Sequence, residues 1–399
     1  MSPSTPPNCA PSWIVTPDVS LQVNSVAFSA DGSCCVFGTS NEFGTGQFAV
    51  YCYDGAGALR WSSPVGAPAS TQGVFWVAAS ADGQFAAAGG ETSKTAGFLS
   101  AYRVADGVQV LDTPLTSRVN QVVLSGDGSL LLAVFNDTVQ LYQYANGAYA
   151  LASQLSFAGI YLNSCALSPD GFKAVLSCTI YHEGSASTGQ VVSLDVNGGQ
   201  LTVTGTWPSA VGVMRVAIAA TGNYWGASLH DGSCVLFDPA NLNQPAWQYR
   251  PNVPGLNVAY GFDITQTAEG RVVLACGANL SGTSPTGYLY LVESVQAGAA
   301  QAARFCWGAA LDYSANPGVS LDREALTVTA TDGQPGDETP GQVSESAGNF
   351  YLFDGASGTQ LWRYATPVMN WPMAITPDGT RACGGSDDGS VYFWGPAAT

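Results

Sequence analysis

Two acidic residues and one arginine lie in short apolar segments where charge is otherwise rare. Asp263 lies in FDIT and Asp312 in LDYS, and both motifs align with VAFS at Val26–Ser29, whereas other copies carry alanine or valine at the place of the aspartate. Arg215 lies on the preceding copy in the same alternation phase, so all three side chains are predicted to face one side. A buried acid is costly unless it is paired, and two close carboxylates can hold a cation or share a proton. The favoured interpretation is a structural ion network; the alternative is a catalytic group made of Arg215, Asp263 and Asp312.

The only two histidines form a candidate metal site. His182–Glu183 and His230–Asp231 are predicted to lie in equivalent loops of neighbouring repeats, on the same face of the molecule. Two imidazoles and two carboxylates could ligate Zn, Mn or Fe. However, HDGS at His230 parallels DDGS at Asp387, which reads as a simple turn, and no fixed ligand spacing is present. The turn is the favoured interpretation.

Amides and aromatic residues are predicted to ring the mouth of a central channel. In most repeats the residue eight positions before the turn glycine is an asparagine or a large apolar residue such as Met214. Aromatic rings would supply contact area and amides would orient a ligand; the alternative is that the asparagines cap turns and the aromatics plug the channel. The predicted ligand-binding residues are Asn24, Phe75, Trp76, Asn120, Asn163, Tyr260 and Trp371.

A recurring hairpin must position these residues. A short apolar strand is followed by Ser/Thr-x-Asp-Gly and a second apolar strand, in which Asp bonds the local backbone and Gly supplies the positive φ of the turn. Five copies are clear and two are weaker, and an eighth, around Asp322, lacks the glycine. The turn glycines are Gly32, Gly83, Gly128, Gly171, Gly222, Gly270 and Gly379. A third strand follows each hairpin, and a fourth usually carries a tryptophan. Spacing of roughly 50 residues and four strands per repeat predict the blades of an all-β propeller.

The two ends of the chain predict that the propeller closes on itself. The last repeat stops after VYFWG without a fourth strand, while SWIVTP at Trp13–Pro17 matches the fourth-strand ending WRYATP at Trp362. The sequence thus predicts one closed eight-bladed β-propeller over residues 1–399, with residues 12–17 as the outer strand of the last blade. The predicted blades span approximately 21–64, 72–114, 118–157, 160–208, 211–251, 256–308, 309–367 and 369–396.

Two family resemblances accompany these motifs. VNSVAFSADG and LNSCALSPDG resemble the first strand of WD40 repeats, although the Gly-His and Trp-Asp signatures of that family are absent. FYLFDGASGTQLWRY, at Phe350–Tyr364, resembles the repeat of the quinoprotein alcohol dehydrogenase-like propellers. That resemblance implies a tryptophan docking against the neighbouring blade, and it would imply pyrroloquinoline quinone, Ca²⁺ and an aspartate base. The expected calcium ligands cannot be placed, so this cofactor is not expected; a divalent metal stays open.

Composition excludes several classes of function. The net charge is −17, with 12 Lys+Arg against 29 Asp+Glu, which opposes binding to nucleic acids and anionic membranes. No signal peptide or transmembrane run is visible, so the chain as written is expected to be cytoplasmic, the alternative being a mature exported domain. None of the ten cysteines forms CxxC, and Cys34 and Cys35 should face opposite sides of a strand.

The predicted function follows from a loop-rich face without a complete catalytic motif. GxSxG and Walker A sequences are absent. The leading prediction is a binding propeller that holds a small molecule or a protein partner on the loop face around the channel. One alternative is an enzyme with its site at the channel mouth, either quinoprotein-dehydrogenase-like or a metal-dependent hydrolase or lyase. The other is a structural scaffold subunit.

Overall fold

The structure is a computed structural model that describes residues 8–282, 286–334 and 347–395, and all regular elements in these ranges are β-strands. The strands are β1 (Trp13–Val15), β2 (Gln22–Phe28), β3 (Cys34–Asp54), β4 (Leu59–Ala79), β5 (Phe85–Ser93), β6 (Ala96–Arg103), β7 (Gln109–Leu115), β8 (Val119–Leu124), β9 (Leu130–Phe135), β10 (Thr138–Ala145), β11 (Ala148–Ser156), β12 (Tyr161–Leu167), β13 (Lys173–Ile180), β14 (Thr188–Asn197), β15 (Gln200–Ser209), β16 (Val213–Ile218), β17 (Trp225–Leu229), β18 (Cys234–Phe237), β19 (Trp247–Tyr249), β20 (Leu256–Gln266), β21 (Val272–Leu280), β22 (Gly287–Ala297), β23 (Ala300–Leu311), β24 (Ser314–Leu321), β25 (Thr327–Gly333), β26 (Gly348–Asp354), β27 (Gln360–Thr366), β28 (Asn370–Ile375), β29 (Ala382–Ser386) and β30 (Val391–Trp394).

The strands form antiparallel sheets of the kind that make propeller blades. The four-stranded sheets are β8–β11, β12–β15, β16–β19, β20–β23, β24–β27 and β1-β30-β29-β28, and β2–β7 form a six-stranded sheet. The larger sheet arises because β4 runs without a break from the fourth strand of the first repeat into the first strand of the second. The N-terminal strand β1 pairs with β30, Trp13 opposite Phe393, as the sequence predicts for residues 12–17.

The first strand of each repeat contacts the first strand of the next repeat. These inner strands are β2, the part of β4 that pairs with β5, β8, β12, β16, β20, β24 and β28. Contacts run in this order along the series, and β28 also contacts β2. Apolar side chains from facing sheets fill the space between them, one buried cluster for each interface.

Every inner strand has an irregularity in its pairing at a similar place. The register shifts between Val23 and Ser25 in β2, and shifts recur near the start of each of the other inner strands. A β-bulge of this kind adds one residue and redirects the side chains next to it. The residues passed over by the pairing are Asn24, Phe75, Asn120, Asn163 and Met214. The position that the sequence singles out is therefore the bulge residue.

The turns explain the repeat motif and also its exception. Ser29 donates to Asp31 and accepts from the amide of Cys34, and Gly32 has φ +64°. In the seventh repeat Asp322 takes the place of the serine, accepting from the amide of Thr327 at 2.5 Å, and Ala325 takes the left-handed place of the glycine with φ +53°. This turn places VSLD, and not LDYS, in register with VAFS.

Tryptophans on fourth strands dock against turns of the following repeat. Trp61 donates to the carbonyl of Val104 at 2.9 Å, and a Cβ on Gly107 would lie only 2.6 Å from its ring. Trp307 donates in the same way to Gly355 at 2.8 Å, with Gly358 against the ring. Because these turn glycines have positive φ and touch an indole, a side chain at either position would meet both backbone strain and a clash.

Cys34 and Cys35 point to opposite sides of β3, as strand alternation requires. Cys34 packs with Val36 and Cys52 in one core cluster, whereas Cys35 packs with Phe37 and Cys383 in another. Both are free thiols.

Candidate functional site

All eight inner strands line one cavity of about 400 Å³, which we call the channel. One level of its wall is a ring of mostly small side chains. The ring consists of Ala27, Ala78, Val123, Ala166, Ala217, Asp263, Ser320 and Ala374. Towards the Ser/Thr-x-Asp-Gly turns the channel opens into an apolar vestibule of about 360 Å³. Towards the other side, the loop face, where inner strands begin, the wall becomes polar.

A charged cluster, Trp76, Gln121 and Arg215, lies in the channel just beyond the bulges. We call it the channel cluster. The guanidinium carbon of Arg215 is 4.5 Å from the centroid of the Trp76 ring, a cation–π distance. Arg215 Nη1 donates to Gln121 Oε1 at 3.3 Å, and its buried Nε has no hydrogen-bond partner in the structure. Burial lowers the pKa of Arg215 to about 10, so the side chain remains charged at neutral pH.

Asp263 lies in the small-residue ring, and its carboxylate accepts hydrogen bonds from backbone amides. Its Oδ2 accepts from the amide of Leu321 at 2.7 Å, and its Oδ1 accepts from the amide of Ile264 at 2.8 Å. Ser25 and Ser164 accept from the next inner strand in a similar way. Burial raises the pKa of Asp263 to about 6, against the opposing effect of these two hydrogen bonds.

A second arginine lies at the loop face, in a group that we call the mouth cluster: Arg118, Phe75, Asn120 and Tyr161. The Arg118 guanidinium lies 4.2 Å from the centroid of Phe75. It donates to Asn120 Oδ1 at 3.3 Å and to Tyr161 Oη at 3.4 Å. Tyr161 in turn donates to Asn120 at 2.8 Å, and its ring meets Tyr181 edge-on at 6.1 Å. A guanidinium group and several aromatic rings are thus close together at the mouth.

The two clusters are built from consecutive residues of neighbouring inner strands. Phe75 and Trp76 each carry one arginine on a ring face, and the next strand supplies Asn120 to Arg118 and Gln121 to Arg215. The bulges place both members of each dipeptide near the channel. The result is one guanidinium at the mouth and another inside.

The remaining predicted ligand residues have other partners. Asn163 donates to the carbonyl of Val213 at 2.6 Å, as Asn120 does to Leu162 at 2.7 Å, so these amides join neighbouring inner strands. Asn24 is buried, and its side-chain oxygen has no partner in the structure. Trp371 donates to Asp387, and Tyr260 is half-buried in β20.

The prediction that Arg215, Asp263 and Asp312 form one group is wrong for Asp312. The other two residues do not form an ion network. Asp312 follows β23, is exposed, and pairs with Arg363 on the outer strand β27. The register of β24 puts Ser320 at the place predicted for Asp312, because Asp312 precedes β24 and the pairing of β24 with β25 passes over extra residues between Ala315 and Val319. Arg215 and Asp263 do share the channel wall, but they form no ion pair.

The four predicted metal ligands are not brought together. His182 contacts Thr188 at 2.9 Å, and His230 contacts the sulfur of Met214 at 2.7 Å. Asp231 bonds its own turn through Ser233, so HDGS is a turn like DDGS. Within residues 8–282, 286–334 and 347–395, no group of three or more His, Cys, Asp or Glu side chains could hold a metal, and Glu183 is exposed.

Sequence reasoning missed Arg118, Gln121 and Tyr161. Their signal was present: Arg118 and Gln121 flank the Asn120 that the turn spacing had identified, and Tyr161 opens the next inner strand. Basic residues are rare in this acidic chain, and Arg118 directly precedes an inner strand.

Comparison with known proteins gives the fold. No protein-family model matches the sequence, and no match is found among curated proteins. The β-propeller domain of Cps50 (Swd1) from Myceliophteria thermophila is similar in structure, with a TM-score of 0.55 at 11% sequence identity, over 81% of this chain and 95% of that chain. The chain is a β-propeller. At this identity the likeness concerns architecture only, so the site must be interpreted from its own residues. In the described part of this propeller, no helix is long and apolar enough to cross a membrane.

Proposed function

We propose that this propeller is a binding protein that holds a partner, a small molecule or a protein segment, on its loop face over the channel mouth. The observation that carries the proposal is the mouth cluster. Arg118 forms no ion pair in the described residues and is supported by a ring and neutral acceptors. Its guanidinium could therefore form a charge-assisted hydrogen bond with an anionic group of a partner.

The composition of the mouth fits recognition. Arginine and tyrosine are enriched among the residues that carry most binding energy at protein interfaces. Tyr181, next to Tyr161, is 66% exposed although it is a large aromatic residue. Burial raises the pKa of Glu91, which lies near Arg118, and the charge of Arg118 partly opposes that rise.

The proposal includes a closed ring of eight blades, with the six-stranded sheet counted as two. Its support is the contact of β28 with β2, the pairing of β1 with β30, and the contribution of every inner strand to one cavity. A ring would hold the mouth residues of different blades at fixed distances. The tryptophan docking of Trp61 and Trp307 is what the quinoprotein-like resemblance leads one to expect of the architecture.

Two exposed aromatic residues at opposite ends of β13 allow a controlled test. Tyr181 lies at the loop face, and Phe172, which is 61% exposed, lies beside the turn at the other end. A photo-crosslinking residue at position 181 should capture a partner from the source cells, and one at 172 should not. Arg118→Ala should abolish the capture. Equal capture from both positions, or capture that survives Arg118→Ala, would contradict the proposal.

The catalytic alternative has less support. Asp312 is outside the channel, so the predicted three-residue group is not assembled. The scaffold alternative would use long loops to contact other subunits, and the longest of these, residues 332–348, lies mostly outside the described residues. Neither alternative is supported by an observation as specific as the mouth cluster.

A further inference from the structure

The half-buried guanidinium of Arg215 has no counter-ion among the described residues. Its contacts are the Trp76 ring and the neutral Gln121 amide, and its buried Nε has no acceptor. No ion pair within the described part of the chain includes it; those that are present involve other residues. Withdrawing a guanidinium from bulk water without pairing it with an anion costs free energy, and an anionic occupant of the channel would offset that cost.

The space beside Arg215 fits a small amphipathic molecule. The channel encloses about 400 Å³, within the usual range for ligand pockets. Away from the channel cluster its wall is mainly methyl-bearing, with Ala27, Ala166, Ala217 and Ala374 among the lining residues. An occupant would therefore place an anionic group at Arg215 and an apolar body against this wall.

The charge in the channel selects the class of anion. One guanidinium can balance one negative charge, and its two Nη groups can hold a carboxylate in a bidentate pair. Asp263 lines the same cavity and adds negative charge when ionised, which disfavours a dianion such as phosphate. We infer that the channel is a binding site for a small apolar monocarboxylate, held by the part of the Arg215 guanidinium that lines the cavity. This site goes beyond the proposed mouth interaction and does not rest on it.

Benzoate and benzamide are matched probes, because they share shape and differ in charge. In calorimetric titrations of the whole protein, benzoate should bind at least 10-fold more tightly than benzamide. Arg215→Met should weaken benzoate at least 10-fold and leave benzamide within 3-fold. Arg118→Met, the same change at the mouth, should leave benzoate within 3-fold. Equal affinities of the two probes, no benzoate binding up to 50 mM, or unchanged binding by Arg215→Met would each overturn the inference.

A second measurement avoids the variants. The side-chain Nε–H signals of the ten arginines can be followed by NMR in the unmodified protein. Benzoate should shift the Nε–H signal of one partly buried arginine, because the guanidinium of Arg215 gains an anionic partner. A titration in which no such signal moves, or in which only exposed arginines respond, would contradict the site even if Arg215→Met failed to fold. Failure here with intact capture at position 181 would leave the mouth proposal standing.

Discussion

The guanidinium of Arg215 lies over the ring of Trp76 at 4.5 Å, although these residues come from inner strands with two others between them. The pair spans part of the channel, and the indole covers one face of the guanidinium. A cation–π contact offsets some of the desolvation cost, but less than a carboxylate would.

Removing this charge should stabilise the unliganded protein. Arg215→Met keeps most of the side-chain volume and ends the desolvation cost, so the free energy of unfolding should rise by about 1–3 kcal/mol. Urea denaturation at neutral pH measures the change. Arg271→Met is the control, since Arg271 pairs with the buried Glu293 and its loss should destabilise. A loss of more than about 1 kcal/mol in Arg215→Met would mean that the arginine is structural.

The N-terminal strand should contribute to stability through one side chain. Trp13 stacks on Phe393 at 4.6 Å and packs on Gly57, so Trp13→Ala should lower the free energy of unfolding by about 2–4 kcal/mol. The neighbouring Ile14, which is 47% exposed, gives the control, and Ile14→Ala should cost under about 1 kcal/mol. Similar losses in chemical denaturation would argue against docking of β1 through Trp13.

A methyl group should discriminate docked turns from free turns. Gly107 has φ +69° and lies against Trp61, whereas Gly147 has φ +89° and nothing within 4 Å of the place that a methyl group would take. Gly147→Ala should cost only the backbone strain, about 1 kcal/mol, while Gly107→Ala should cost about 3 kcal/mol because the indole must also move. Thermal unfolding of both variants measures the gap. Equal melting temperatures would show that the tryptophan does not restrain the turn.

Stability should depend on pH through Asp387. Burial raises its pKa to about 7, above its usual 3.8, and the nearby charges of Glu42 and Asp388 add to this. Between pH 4 and 7 the folded chain thus holds more protons at this site than the unfolded chain, so its contribution to the free energy of unfolding falls as pH rises. Asp387→Asn keeps an acceptor for Trp371 and removes the titration. Between pH 4 and pH 8, the free energy of unfolding of the variant should rise by about 2–4 kcal/mol relative to that of the wild type.

Asp31→Asn is the opposite control for that titration. Hydrogen bonds from Ser29 and Ser33 lower the pKa of Asp31, so its stabilisation is present above the unfolded pKa and is lost as pH falls. Asp31→Asn should therefore destabilise at pH 7 and approach the wild type near pH 3. Parallel stability curves for Asp387→Asn and the wild type would refute the role given to Asp387.

The sequence alone determined the structural features that depend on residues close together in the chain. The turn motif predicted hairpins correctly because Ser29, Asp31 and Gly32 form them by short-range hydrogen bonds and backbone conformation. Constant spacing from those turns identified the bulge residues, and the resemblance of Trp13–Pro17 to other outer strands predicted its pairing. The alignment of FDIT with VAFS also put Asp263 on the side of its strand that faces the channel.

Tertiary structure decided which of these side chains meet. In the seventh turn, Asp322 and Ala325 stand where other repeats have serine and glycine, so the sequence motif is not visible there. The turn still forms, because it requires only a side-chain acceptor and a residue with positive φ, which Asp322 and Ala325 supply. Asp312 was consequently displaced from the predicted site. The contacts of Arg118 with Phe75 and of Arg215 with Trp76 cross from one sheet to another. Such contacts depend on how the sheets are arranged around the channel, and no local pattern in the sequence encodes that arrangement.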